Sequence, residues 1–151
     1  MGVCYLKNRE AFTFPELLVA AILLSMAVVG LLLSYTKMIE LQELSHNTSI
    51  AIEGMIDQME LIKNTNFTDI ETTFNAQTFT VTGLTGIGSI SVTTLEFDYL
   101  EVWMTYSWQQ KNGRIIGEDD DLDGVLDVGE DDNANGRLDS PAQFVTYIYA
   151  Q

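Results

Sequence analysis

The chain changes its hydrophobic pattern three times, and each change predicts a different kind of element. From Leu17 to Ser34 every position is apolar except Ser25 and Ser34, with no charge and no proline. Eighteen such residues predict a helix long enough to cross a bilayer, since a helix rises about 1.5 Å per residue across about 30 Å of hydrocarbon. Beyond Tyr35 the pattern becomes periodic: Met38, Leu41, Leu44, Ile52, Met55, Ile56, Met59 and Ile62 alternate with charged positions at three- and four-residue steps. That spacing predicts an amphipathic continuation of the same helix. No proline falls between Glu16 and Lys63, and Asn64-Thr65-Asn66 supplies a stop. The helix expected is therefore about 50 residues or roughly 75 Å long, with Gly30 and Gly54 as points of weakness. The methionines Met38, Met55 and Met59 are expected in a core, and His46 on the helix surface.

From Phe67 to Tyr99 the chain becomes rich in Thr, Gly and β-branched residues, which predicts strands. Thr78–Thr82 and Ser89–Thr93 alternate around a turn at Gly83–Gly88, Tyr99–Trp108 is the strongest strand, and Gln143–Tyr149 is the last. Lys111-Asn112-Gly113-Arg114 contains the Asn-Gly pair that closes tight hairpins. The glycines at 83–88 lack the lysine and following helix of a phosphate loop. The fold class predicted is α+β: a long N-terminal helix packed on a small antiparallel sheet.

Composition changes the picture in one place. The chain of 151 residues has a formal charge of −15, and the segment Glu118–Asp139 holds ten acids against one arginine. Acid so concentrated points to a local cation site rather than to disorder. Seven Lys and Arg in all exclude a nucleic-acid partner. One cysteine, Cys4, permits no internal disulfide, and one histidine leaves no nucleophile–base pair, so no enzymatic activity is expected.

Within that segment, Asp119, Asp121, Asp123, Gly124 and Glu130 match D-x-D-x-D-G-x5-E. Calcium takes six to eight oxygens, and such a loop offers side chains at Asp119, Asp121, Asp123 and Asp127, the Val125 carbonyl and a bidentate Glu130. Leu126 is the expected apolar plug. A second unit follows with Asp131, Asn133, Asn135 and Asp139, but its twelfth position is Ala142. It is expected to bind more weakly or to lend oxygens to the first. The flanks are strands rather than helices, so the tandem is similar to the calcium loops of thrombospondin type 3 or dockerin repeats.

The residues Ala11-Phe12-Thr13-Phe14-Pro15-Glu16, ahead of the apolar run and behind a leader with Lys7 and Arg9, carry a family resemblance. They resemble the prepilin cleavage and methylation motif of type IV pilins and type II secretion pseudopilins. The strand ending in Ser107-Trp108, the Asn-Gly-Arg turn and the terminal strand look like the last hairpin of V-type minor pilins or I-type pseudopilins, here interrupted by the acidic insertion. The resemblance implies cutting between Ala11 and Phe12 by a prepilin peptidase, which also methylates Phe12. It implies that Glu16 pairs with the Phe12 amine of a neighbouring subunit. It implies partners among other pilin or pseudopilin subunits and an inner-membrane assembly platform. It places the chain as a single-pass protein of a bacterial inner membrane, head outside the cytoplasm, and later in an extracellular or periplasmic filament. On its own residues, Glu16 also completes a capping box with Thr13. The divisions expected are 1–11 leader, 12–35 apolar helix, 36–66 amphipathic helix and 67–151 head, with the calcium insertion at 117–140. The rival reading is a single-pass, calcium-binding envelope or adhesion protein that does not polymerise.

Overall fold

The computed structural model describes residues 13–96 and 98–150. One helix, α1 (Phe14–Lys63), runs unbroken for 50 residues, as the absence of proline beyond the first turn permits. The chain divides into two compact units, residues 1–41 and 42–151.

In the first unit α1 buries nothing. Leu17, Leu23, Leu31, Leu33 and their apolar neighbours are all about half exposed or more. Met38, expected in a core, is 68% exposed.

In the second unit α1 presents Ala51, Met55, Met59 and Ile62, all buried, along one stripe. Gly54 lies on that stripe, where a Cβ would collide with the Val81 side chain. Its role is close approach rather than bending. His46 is exposed, as its place in the pattern predicts.

A short helix α2 (Phe67–Phe74) follows where only strands were expected. Phe67, Ile70 and Phe74 fall at helical spacing and pack on the core, and the Asp69 amide closes the first turn onto the Asn66 carbonyl at 2.9 Å. Asn66 takes the N-cap position without a side-chain capping bond; its side-chain amide donates to Asp69 Oδ2 at 3.4 Å.

Among the described residues five strands complete the unit: β1 (Gln77–Phe79), β2 (Gly86–Glu96), β3 (Tyr99–Gln109), β4 (Ile115–Ile116) and β5 (Gln143–Tyr149). All pairings are antiparallel: β1 with β2, β2 with β3, and β3 with both β4 and β5. β1 is shorter than the Thr78–Thr82 alternation suggests. The Val81 amide leaves the ladder and donates to the Tyr106 hydroxyl at 3.2 Å, and the Leu84 amide turns back to the Val81 carbonyl. β2 in turn begins within the glycine-rich stretch, at Gly86, because that stretch pairs with Trp108 and Ser107.

Strand alternation then sorts β3 onto two faces. Leu100, Val102, Met104, Tyr106 and Trp108 are almost wholly buried with the α1 stripe. Thr105 and Ser107, on the opposite face, are also buried, although both are polar. The acidic insertion covers them: a Cβ on Gly117 would strike Ser107, and one on Gly124 would strike Thr78. The sheet is therefore covered by helix on one face and by the insertion on the other.

Candidate functional site

The start of α1 is the first site residue to be placed. Ala11 and Phe12 lie outside the described residues. The Glu16 amide donates to the Thr13 carbonyl at 3.0 Å, and the Thr13 amide donates back to Glu16 Oε2 at 3.5 Å. This is the side of a capping box supplied by the acid. Glu16 is exposed and lies at the positive end of the helix dipole.

Downstream, the few polar side chains of the apolar run are satisfied by their own helix. Ser25 Oγ donates to the Ile22 carbonyl at 2.8 Å, Ser34 Oγ to Gly30 at 2.9 Å and Thr36 Oγ1 to Leu33 at 2.9 Å. Such back-bonding leaves none of these hydroxyls without a partner along the apolar run. The first charges after Glu16 are Lys37 and Glu40, paired with each other at 2.6 Å. The helix thus carries 20 consecutive uncharged residues, from Leu17 to Thr36, long enough to cross a membrane by length and composition.

The acidic insertion is built as two copies of one loop. Asp119 accepts the amides of Asp123 at 3.2 Å and Gly124 at 2.9 Å, Asp121 accepts Asp123 at 3.2 Å, and Asp123 accepts Val125 at 2.7 Å. The same bonds recur in the second unit. Asp131 accepts Asn135 at 2.9 Å and Gly136 at 2.7 Å, Asn133 accepts Asn135 at 3.0 Å, and Asn135 accepts Arg137 at 2.8 Å. The backbone repeats as well. Left-handed φ occurs at Leu122 (60°) and Gly124 (80°), then at Ala134 (57°) and Gly136 (77°). For the non-glycine residues this conformation is uncommon, and the side-chain bonds to the surrounding amides hold it in place.

Glutamates close both loops. Glu130 accepts the amides of Asp120 at 2.9 Å and Asp127 at 3.0 Å, and its own amide donates to the Asp127 carbonyl at 3.2 Å. In the second loop the equivalent of Asp127 is Asp139. Its amide donates to Glu118 Oε2 at 2.9 Å, and its carbonyl accepts the Glu118 amide at 2.9 Å. Glu118, in front of the first loop, therefore does for the second what Glu130 does for the first. Ala142, at the formal twelfth position, is instead buried in the core, where its carbonyl accepts the Tyr106 amide. Sequence reading missed Glu118, although Gly-Glu-Asp-Asp stands at both 117–120 and 129–132.

Carboxylate oxygens of Asp119, Asp121 and Asp123 lie within 4.8 Å of one another. That separation lets all three carboxylates reach one cation, since calcium–oxygen bonds run about 2.3–2.6 Å. Asp127 and Glu130 do not join that close group; Glu130 spends one lone pair of each oxygen on the backbone and keeps others. Asp119 is almost wholly buried. Burial pushes its carboxyl above the usual range, the amides of Gly124 and Asp123 oppose this, and Glu130 adds repulsion. Burial and Glu130 thus oppose charge on Asp119, and a cation at the loop would offset both together. The one arginine of the insertion turns away from the loops: Arg137 pairs with Glu101 at 2.7 Å and lies over the Trp103 ring at 4.7 Å. It pins the insertion to the sheet. Leu138 is buried and Leu126 half-buried, equivalent positions in the two loops.

No protein-family model, curated protein or solved structure matches this chain.

Proposed function

We propose that this chain is a minor pilin or pseudopilin, a structural subunit of a type IV pilus or a type II secretion pseudopilus. The observation that carries the reading is one helix with two chemistries. An exposed, uncharged half runs without a break into a half whose apolar stripe belongs to the core of a sheet. Such an exposed half needs lipid before assembly and other subunits' helices afterwards. Behind the basic leader, prepilin peptidase cuts between Ala11 and Phe12 and methylates Phe12, and Glu16 then pairs with the Phe12 amine of a neighbour. The head stands outside the cytoplasm, and its work is packing rather than catalysis.

In the insertion, Asp119, Asp121, Asp123, Asp127, Glu130 and the Val125 carbonyl hold one calcium. Asp131, Asn133, Asn135 and Asp139, completed by Glu118, form a weaker second site. The ion supplies the positive charge that the crowded carboxylates lack and fixes the insertion on the sheet.

The intact mass of the protein made in a cell with prepilin peptidase tests this reading. A chain beginning at methylated Phe12 is expected; one beginning at Met1 or Gly2 overturns it. The capping bond from Thr13 to Glu16 favours a second reading, a calcium-binding single-pass envelope or adhesion protein. A Glu16 already partnered by its own helix has no need of a neighbour.

A further inference from the structure

The two edges of the sheet are finished differently. On the β2 side, β1 covers Gly88–Ile90, and the Ala76 amide donates to the Ile90 carbonyl at 2.9 Å. The Asn75 side chain accepts the Val92 amide at 3.0 Å, and Glu71 holds the Thr94 hydroxyl at 2.7 Å. Strand, side chain and helix together blunt that edge, as natural sheets do to escape unwanted pairing.

On the β5 side there is no such cover among the described residues. The Tyr106 amide donates to the Ala142 carbonyl at one end of the β3–β5 ladder, and the Ala150 amide to the Asp98 carbonyl at the other. With the register Thr105↔Gln143 to Tyr99↔Tyr149, antiparallel alternation turns the amides and carbonyls of Phe144, Thr146 and Ile148 toward β3. Those of Gln143, Val145, Tyr147 and Tyr149 turn outward, and β5 pairs only with β3.

The exposed strand is also unguarded in sequence. Gln-Phe-Val-Thr-Tyr-Ile-Tyr has no charge, no proline and no glycine, although the chain around it carries −15. Val145, Tyr147 and Tyr149 are 40%, 51% and 62% exposed. At the end of β5, Ile148 and Tyr149 share a cavity of about 340 Å³ with Phe67 and Ile70 and with the polar Lys63, Thr65 and Asn66.

We infer that the outer edge of β5 is a docking site for an extended segment of a different protein, which adds to the sheet as a further strand. Backbone bonds to the four outward residues supply affinity, and a side chain reaching the terminal cavity supplies selectivity. The occupant is uncharged along the strand, to match β5, and carries Lys or Arg at its flanks, to match the acidic chain. A second copy of this chain is not that partner, because it brings the same −15 and repels.

The test uses the full chain in detergent micelles and a synthetic peptide of alternating threonine and valine, flanked by lysines. In the free protein, the amides of Val145, Tyr147 and Tyr149 are expected to exchange with deuterium faster than those of Phe144, Thr146 and Ile148. The peptide is expected to slow the outward set by about tenfold or more without slowing the inward set comparably. Val145→Pro removes one outward donor and leaves the inward ladder intact, as edge strands allow. It is expected to weaken peptide binding by about tenfold, and Val145→Lys, which keeps the backbone, is expected to weaken it as well. The inference is overturned if the peptide gives no protection, or if both variants bind it like the parent chain. It is equally overturned if the outward amides of the free protein gain protection as its own concentration rises, which would place a second copy on this edge.

Discussion

At Glu16 and Tyr106 a single polar group meets an apolar setting, and both residues have consequences that can be measured. Glu16 closes the first turn of α1 through Thr13, a contact contributing about 1 kcal/mol or less at an exposed helix start. Glu16→Ala is therefore expected to leave membrane insertion intact. Incorporation into filaments, scored by sedimenting sheared filaments, is expected to fall sharply; unchanged incorporation would return Glu16 to capping alone. Tyr106 is wholly buried, its hydroxyl accepting the Val81 amide and donating to the Leu84 carbonyl. Burial raises its pKa above 10.0, and the Val81 bond opposes the rise. The folded head thus keeps a proton that the unfolded chain loses. The stability Tyr106 contributes is complete below the unfolded value and is lost as pH climbs through the raised folded value. Chemical denaturation from pH 8 to 11.5 is expected to show this decline. Tyr106→Phe is expected to remove its share of the slope while costing about 1–3 kcal/mol at neutral pH, because the Val81 amide loses its partner. The aromatic at 106 was legible as part of a strand. That its hydroxyl ends β1 was not, since the partners are 25 residues apart.

Among the elements, the insertion is where local sequence and structure agree best. The repeated Asx bonds that set the turns of both loops join residues two to five apart, so a spacing rule could find them. Glu118 escaped the rule because its bond to Asp139 spans 21 residues and closes the second loop from in front of the first. Calorimetry on the full chain in detergent is expected to show calcium binding in about the 10⁻⁴–10⁻³ M range typical of extracellular modules. Asp119→Asn with Asp123→Asn is expected to abolish the first binding step. Glu118→Gln is expected to weaken only the second, by about tenfold, roughly 1.4 kcal/mol. Heat from neither step in the parent chain would leave a solvated acidic loop. The strands show the opposite balance. Alternation located β3 and β5, but β1 was overextended, β2 began earlier than expected, and α2 was overlooked, because the two-residue pattern of its neighbours masked three apolar positions at helical spacing.

Among the described residues, every buried hydrophobic residue of the core lies between Ala51 and Ala142. Residues 13–41 contribute none. A fragment of residues 42–151 is therefore expected to fold and stay soluble, with a thermal midpoint within about 4–8 °C of the full chain's head, the shift expected for a difference near 1 kcal/mol. Circular dichroism of the fragment checks this, and a non-cooperative melt would show that the apolar half of α1 is needed for folding. What the sequence alone determined were the features set by neighbours along the chain. These are the unbroken helix, fixed by the absence of proline and the switch from uniform to periodic hydrophobicity, and the two loops, fixed by short oxygen spacings. What only the tertiary structure decided was which surfaces those elements leave over. Met38 stays exposed while Met55 is buried, Gly54 is needed for contact with Val81, the insertion covers Thr105 and Ser107, and β5 keeps an open edge. Each of these depends on what lies across the fold from a residue, and hydrophobic period records only that a face is apolar, never what will cover it.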